Sequence, residues 1–206
     1  MNPSSEMPTP IQIHFDFSSP YGYLGSEKIE ALAARHGRTV DWHPMLLGIV
    51  FKTTGSQPLT NVPIKGDYAK RDMERSARFH GVAFRLPSKF PIATQAPARI
   101  VLWQREHDAA GVGHLVHALY RAYFVHDRDI GDPEIAADVA RDAGLDRAAA
   151  RAAVDDPAVK DALRREVEAA IAKGVFGSPF VFIDGEPFWG IDHFDQVDRW
   201  LAQGGF

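Results

Sequence analysis

A chain of 206 residues, 45% hydrophobic and 24% charged, is long enough to bury a full core and has the make-up of a soluble globular protein. Its 23 Lys and Arg against 27 Asp and Glu leave a net charge of -4, which excludes an electrostatic case for nucleic acid, and the absence of cysteine excludes disulfides, a thiolate nucleophile and thiolate metal ligands. No apolar run approaches the ~20 residues of a membrane span, and MNPSSEMPTP lacks the basic start and apolar middle of a secretory signal, so a cytoplasmic protein with no membrane partner is expected.

The first element lies in Ile11 to Leu24, IQIHFDFSSPYGYL. Ile11, Ile13, Phe15 and Phe17 alternate with Gln12, His14 and Asp16, which is the period of a strand. Ser19-Pro20 ends it. The residue before a proline is held extended and proline suits the first helical position, so Ser19 is predicted at a helix N-cap. A helix N-terminus carries roughly half a positive charge, and the Ser19 hydroxyl stands where an anion or a polarised thiol is stabilised; the plain alternative is a cap and nothing more. Gly22 occupies the position where a capping box has Glu or Gln, which leaves space beside the cap for a ligand. The helix runs through Ile29 and Leu32 to a C-terminal cap at Gly37, and Thr39 to His43 forms a second strand ended by Pro44, completing a parallel βαβ unit.

Leu46 to Lys65 loses period and collects turn formers, including Thr54, Gly55, Ser56, Pro58, Asn61 and Pro63, and reads as a loop. About a hundred residues of helical pattern follow. Gly66 to His80 carries a solvated face of Lys70, Arg71, Arg75 and Arg78. After the proline-marked break LPSKFPIATQAP come helices near Ala98 to His107 and Gly113 to His126; His114 and His117 share a face there, but no third ligand stands at motif spacing, and no metal site is expected. Asp132-Pro133 and Asp156-Pro157 each start a helix, the second with a buried stripe of Val159, Leu163, Val167 and Ile171 ending at Gly174. Phe180 to Ile183 is then an apolar strand, Asp184-Gly185 a hairpin turn, Phe188-Trp189 the antiparallel partner, and a last helix opens near His193 with Asp192 at or beside its N-cap. No linker sets the helical block apart, so it reads as an insertion between two halves of one sheet.

This order of elements resembles the thioredoxin fold with an inserted helical domain, the DsbA-like arrangement. The resemblance implies an α/β fold with a thioredoxin-like domain in residues 10–65 and 174–206 and a large all-helical insertion domain in residues 66–173, between the βαβ and ββα halves. Where DsbA-like proteins carry Cys-x-x-Cys this chain has Ser19, Pro20, Tyr21 and Gly22, which excludes disulfide exchange. FDFSSPYGYL, TGSQP, VPIKGDY, FPIATQAPAR and GVFGSPFVFIDGEPFWGID further resemble the 2-hydroxychromene-2-carboxylate isomerases, relatives of the kappa-class glutathione transferases.

That likeness implies glutathione as cofactor, a small aromatic substrate and a homodimer. Ser19 matches the family's catalytic serine, which polarises the glutathione thiol. Pro179 matches its cis-proline, placing Gly177 and Ser178 at the cysteinyl part of the tripeptide. Ile191 and Asp192 match the pair that holds the γ-glutamyl end, with Ile191 offering backbone groups only. Ser56 stands where relatives often have Asn, and Lys65 matches a basic position that meets glutathione or a substrate carboxylate. The implied reaction is isomerisation of 2-hydroxychromene-2-carboxylate or a similar aromatic 2-oxo acid: the thiolate adds reversibly to the conjugated side chain, the resulting single bond rotates, and elimination gives the isomer. Ser19 is a donor and not a nucleophile in this scheme, because no Gly-x-Ser-x-Gly elbow surrounds it. A kappa-like transferase, which leaves a thioether, and a catalytically silent binding module, which turns nothing over, are the alternatives.

Overall fold

The computed structural model describes residues 7–206. Its first strand, β1 (Ile11–Phe15), runs into helix α1 (Pro20–Arg35) and then into β2 (Val40–Pro44), which pairs parallel to β1. Far along the chain, β3 (Phe180–Ile183) joins the other side of β1 antiparallel, and β4 (Glu186–Trp189) hairpins back onto β3, giving a sheet of order β2-β1-β3-β4. Helix α9 (Phe194–Gln203) closes the fold. Between β2 and β3 lie α2 (Leu47–Thr54), α3 (Lys65–His80), α4 (Gln95–His107), α5 (Val112–Phe124), α6 (Pro133–Asp142), α7 (Arg147–Asp155) and α8 (Pro157–Ala172).

Alternation along β1 sends Ile11, Ile13 and Phe15 to one face, where they pack with Leu24 and Ile29 of α1 and with Leu115, Leu119 and Tyr120 of α5. Each such side chain contributes about 1.5–3 kcal/mol by leaving water. Sheet and insertion therefore share one core. On the other face Phe180 and Phe182 pack with Met45, Val50, Ala170 and Val175, so β3 is buried on both sides, as its unbroken apolar sequence requires.

The stretch expected to be a loop contains α2 and a 3₁₀ turn at Leu59–Asn61. Helix α2 spans only two turns, buries a single residue, Val50, and stops at Gly55 in the left-handed conformation; its stability comes from packing, too short a pattern for periodicity to register. Helix α4 begins at Gln95, three residues before the expected start. Pro97 reads as a breaker in sequence but sits in the first turn, where its missing N–H leaves nothing unbonded. Helix α7, capped by Asp146, was not expected as a separate element, and α5 ends two residues short of the expected His126.

Candidate functional site

The candidate site forms where β1 delivers the chain into α1. Ser19 is the N-cap, extended at φ −95° and ψ 114°, and its Oγ accepts the Gly22 N–H at 3.0 Å. A hydroxyl has one proton, and that of Ser19 goes to the Ser178 carbonyl at 3.1 Å. Most other donors at this terminus are engaged. The Ser18 N–H bonds the Asp16 carboxylate at 2.9 Å, the Ser19 N–H the Asp16 carbonyl at 2.9 Å, and the Tyr23 N–H the Ser19 carbonyl at 3.0 Å. Pro20 has no N–H. Tyr21 carries the one backbone N–H of the first turn without a partner among the described residues, and it is the donor an anion would use here.

Ser178 faces Ser19 from the loop before β3, and the bond between Ser178 and Pro179 is cis. Pro179 packs against α1 so closely that a Cβ on Gly25 would lie 2.9 Å from its ring. Its carbonyl accepts the Gly190 N–H at 2.9 Å, which draws the end of β4 to the same corner. Gly22 corrects an expectation. The space beside the cap is filled from within: a Cβ there would strike Ser178 Oγ and come 2.7 Å from the Tyr120 hydroxyl, so Gly22 makes room for the protein's own hydroxyls.

Asp16 is the residue that sequence reasoning missed. Strand alternation assigned it to a polar face, yet it is 4% exposed and its carboxylate accepts from Ser18 N, from Leu47 N at 2.8 Å and from Thr94 Oγ1 at 2.7 Å. Its own N–H donates to Ser178 Oγ at 3.1 Å and its carbonyl takes the Tyr120 hydroxyl at 2.7 Å. One residue thus fixes the start of α2, the N-cap of α4, the loop before β3 and the entry to α1. Burial pushes its pKa up, against the pull of the three hydrogen bonds. The available signal was the Asp-x-Ser-Ser-Pro spacing, which suits an Asx turn.

The other predicted residues divide into two groups. Gly177 belongs with Ser19, Ser178 and Pro179; it lies beneath the Trp189 indole, which a Cβ would strike. Gly190, at φ 94°, turns the chain from β4 into a 3₁₀ turn, where Ile191 buries its side chain in the core and leaves backbone groups at the corner. The Asp192 carboxylate is 82% exposed and folds back over Gly190. Asp192 does not cap α9: His193 holds that position, with no side-chain cap bond, because the 3₁₀ turn intervenes. Ser56 and Lys65 form the second group. Both are exposed on the segment joining α2 to α3, and no hydrogen bond links either to Ser19, Ser178 or Asp192. Lys65 opens α3 behind a tight turn in which Ile64 holds φ 70°, a strained conformation for a β-branched residue. Helix α3 is tied to α1 by the Tyr21 hydroxyl, which donates to Asp72 at 2.7 Å. On α5, His117 meets Glu30 and Glu27.

A family model described as a DSBA-like thioredoxin domain matches residues 10–202. The 2-hydroxychromene-2-carboxylate isomerase of Sphingobium xenophagum is 30% identical over 93% of this chain and 97% of that protein. Glutathione S-transferase kappa 2 of Caenorhabditis elegans is 27% identical over 94% and 92% of the two chains. Among solved structures, a 2-hydroxychromene-2-carboxylate isomerase shares the fold with a TM-score of 0.83 at 24% identity, covering 94% of each chain. The cytosolic disulfide reductase DsbM from Pseudomonas aeruginosa, solved with GSH, does so with a TM-score of 0.64 at 18% identity over 94% and 96%. Among the described residues no helix is long and apolar enough to cross a membrane. Matched over nearly its whole length, the chain belongs to the DsbA-like thioredoxin family, with 2-hydroxychromene-2-carboxylate isomerases and kappa-class glutathione transferases as its relatives.

Proposed function

We propose that the protein is a glutathione-dependent isomerase acting on 2-hydroxychromene-2-carboxylate or a similar aromatic 2-oxo acid. One observation carries this reading: the Ser19 hydroxyl caps a helix N-terminus beside Ser178, where the Tyr21 N–H has no partner among the described residues, in a chain without cysteine. That donor set fits an anionic sulfur, and the protein has no thiol of its own to place there. Relatives named as kappa glutathione transferases, and a fold neighbour solved with GSH, support glutathione as the source.

Glutathione supplies a thiol whose reversible addition to a conjugated double bond permits rotation about it. The protein's part is to favour the ionised sulfur. Tyr21 N–H and the α1 terminus offer positive potential, and the Ser19 hydroxyl donates to the charge once its proton leaves the Ser178 carbonyl. A hydrogen bond to a charged group is worth about 1.5–3 kcal/mol, or roughly one to two units of thiol pKa. The Ser178 backbone, with Gly177 and Pro179 shaping its loop, receives the cysteinyl part. The Asp192 carboxylate and the Ile191 backbone take the γ-glutamyl end, while Ser56 and Lys65 on the rim meet a carboxylate of glutathione or of the substrate.

The test is product analysis with purified protein, 2-hydroxychromene-2-carboxylate and glutathione. The isomer should form only when glutathione is present, and glutathione should be recovered unchanged. A thioether product would make the protein a kappa-like transferase, and no glutathione-dependent product from either substrate class would leave a binding module. Ser19→Ala should lower turnover by about tenfold to a hundredfold while costing about 0.5–2 kcal/mol of stability as a lost cap.

A further inference from the structure

The one proton of the Ser19 hydroxyl already has an acceptor, the Ser178 carbonyl, and the same oxygen accepts the Gly22 N–H. In this arrangement Ser19 cannot donate to a sulfur beside it. We propose that the Ser178 carbonyl is a gate on Ser19: the hydroxyl turns to a bound thiolate only when an N–H of the same ligand takes over that carbonyl. The proposal rests on the functional reading above in one respect, that the ligand is a peptide thiol whose N–H is borne by the carbon adjacent to the sulfur-bearing one.

The gate follows from what the hydroxyl would leave behind. Ser178 is 8% exposed and Ser19 is 7% exposed, so a carbonyl deserted by Ser19 stays buried without a donor. Orphaning a buried acceptor costs about as much as a hydrogen bond to a charged sulfur gains, so the turn alone yields no net advantage. A replacement N–H removes that cost and leaves the gain. Neither partner can swing away instead. Ser19 is held as the N-cap by the Gly22 N–H, and Ser178 is held by the Asp16 N–H on its Oγ at 3.1 Å. No covalent bond changes and no proton leaves Ser19; the carbonyl exchanges one donor for another. The device selects peptide thiols: a simple thiol in the same place is not assisted by Ser19.

The test compares glutathione with its depsipeptide analogue, in which an ester oxygen replaces the cysteinyl N–H. Thiolate absorbance against pH gives the pKa of each bound thiol at saturation, in wild type and in Ser19→Ala. With glutathione, Ser19→Ala should raise the thiol pKa by about one unit, a tenfold change in ionisation constant. With the ester, wild type and variant should agree. An isotope-edited infrared band of the Ser178 carbonyl gives a second readout that needs no turnover. In the ligand-free protein Ser19→Ala should move the band to higher frequency; in the glutathione complex it should leave the band in place. A thiol acidified by Ser19 equally in both ligands, or a ligand-free band that ignores Ser19→Ala, overturns the gate alone. Glutathione that fails to bind overturns the functional reading and the gate with it.

Discussion

Asp16 and His14 stand two residues apart at the end of β1, buried to the same degree, at 4% and 3% exposure. Their surroundings are opposite. The Asp16 carboxylate is filled by Ser18, Leu47 and Thr94, three donors from three segments. His14 stacks on His43 with ring centroids 4.8 Å apart, meets the edge of Phe182, and leaves its Nε2 without a partner among the described residues. The difference lies in His43, whose ring nitrogens bond Asp41 at 2.8 Å and Glu166 at 3.0 Å, Glu166 being also gripped by Arg105. Burial lowers the His43 pKa, but the two carboxylates outweigh it and raise the value above the ordinary one. Burial, then the charge on His43, push the His14 pKa down to about 3. A buried polar group with its bonds filled joins segments together; one left unfilled beside a cation becomes a dependence on pH.

The comparison is broken most directly at Asp16. Asp16→Ala strands the Ser18 and Leu47 N–H groups and the Thr94 hydroxyl at once, and should cost about 3–5 kcal/mol in denaturant unfolding. Asp16→Asn sharpens the point. Its amide oxygen can still serve Ser18 and Thr94, which share Oδ1, but its NH2 then faces the Leu47 N–H, donor against donor. About 2 kcal/mol should be lost, with α2 displaced at its start. An Asp16→Ala variant within about 1 kcal/mol of wild type would show that water fills the same bonds and that the carboxylate is no hub.

The second break is at His14, and its sign follows from proton counts. Below pH 6.5 the unfolded chain protonates His14 while the folded protein keeps it neutral down to about pH 3. The unfolded state holds the extra proton across that window, so stability falls as pH falls, by up to about 1.4 kcal/mol per unit. His43 acts in the other direction: its raised pKa adds stability that is complete below the unfolded value and is lost as pH rises through the folded one. His14→Phe keeps the stack and removes the titration. The stability difference between wild type and variant, plotted against pH by urea midpoints, should grow in the variant's favour below pH 6.5. Parallel curves would mean that His14 titrates freely in the fold.

Much of the fold was legible because its signals are local. Alternation from Ile11 to Phe15, the Ser19-Pro20 start, the Asp132-Pro133 and Asp156-Pro157 starts and the Asp184-Gly185 turn each act within a few residues. What stayed hidden depends on distant partners. The bonds that bury Asp16 reach 31, 78 and 162 residues along the chain, to Leu47, Thr94 and Ser178, and no pattern in DFSSP announces them. Helix α2 is fixed by one of those same bonds. At the candidate site the sequence brought Ser19, Gly177, Ser178, Pro179, Ile191 and Asp192 to one corner, since Ser19 follows β1, Gly177 to Pro179 precede β3, and Ile191 and Asp192 follow β4, all at the same end of the sheet. Local rules misjudged Gly22, which reads as open space when viewed without Ser178 and Tyr120.

The smallest expected effect on stability is at Asp192, a carboxylate with none of the structural duties of Asp16. It is 82% exposed, caps no helix, and stands 3.6 Å from His193 Nδ1 at the surface, so Asp192→Ala should leave unfolding within about 0.5 kcal/mol of wild type. Its effect should appear only with ligand. An exposed carboxylate meeting the ammonium of a γ-glutamyl group works against water and salt, which holds the gain to about 1 kcal/mol, or roughly fivefold in Kd. Asp192→Asn keeps an acceptor but not the charge, so most of the loss should remain, and it should shrink as salt is added because screening weakens the wild-type contact. Calorimetric titration of glutathione at two ionic strengths reads both effects. Equal affinity in wild type and Asp192→Asn at low salt would remove Asp192 from the site, and a large loss of stability would make it a second Asp16.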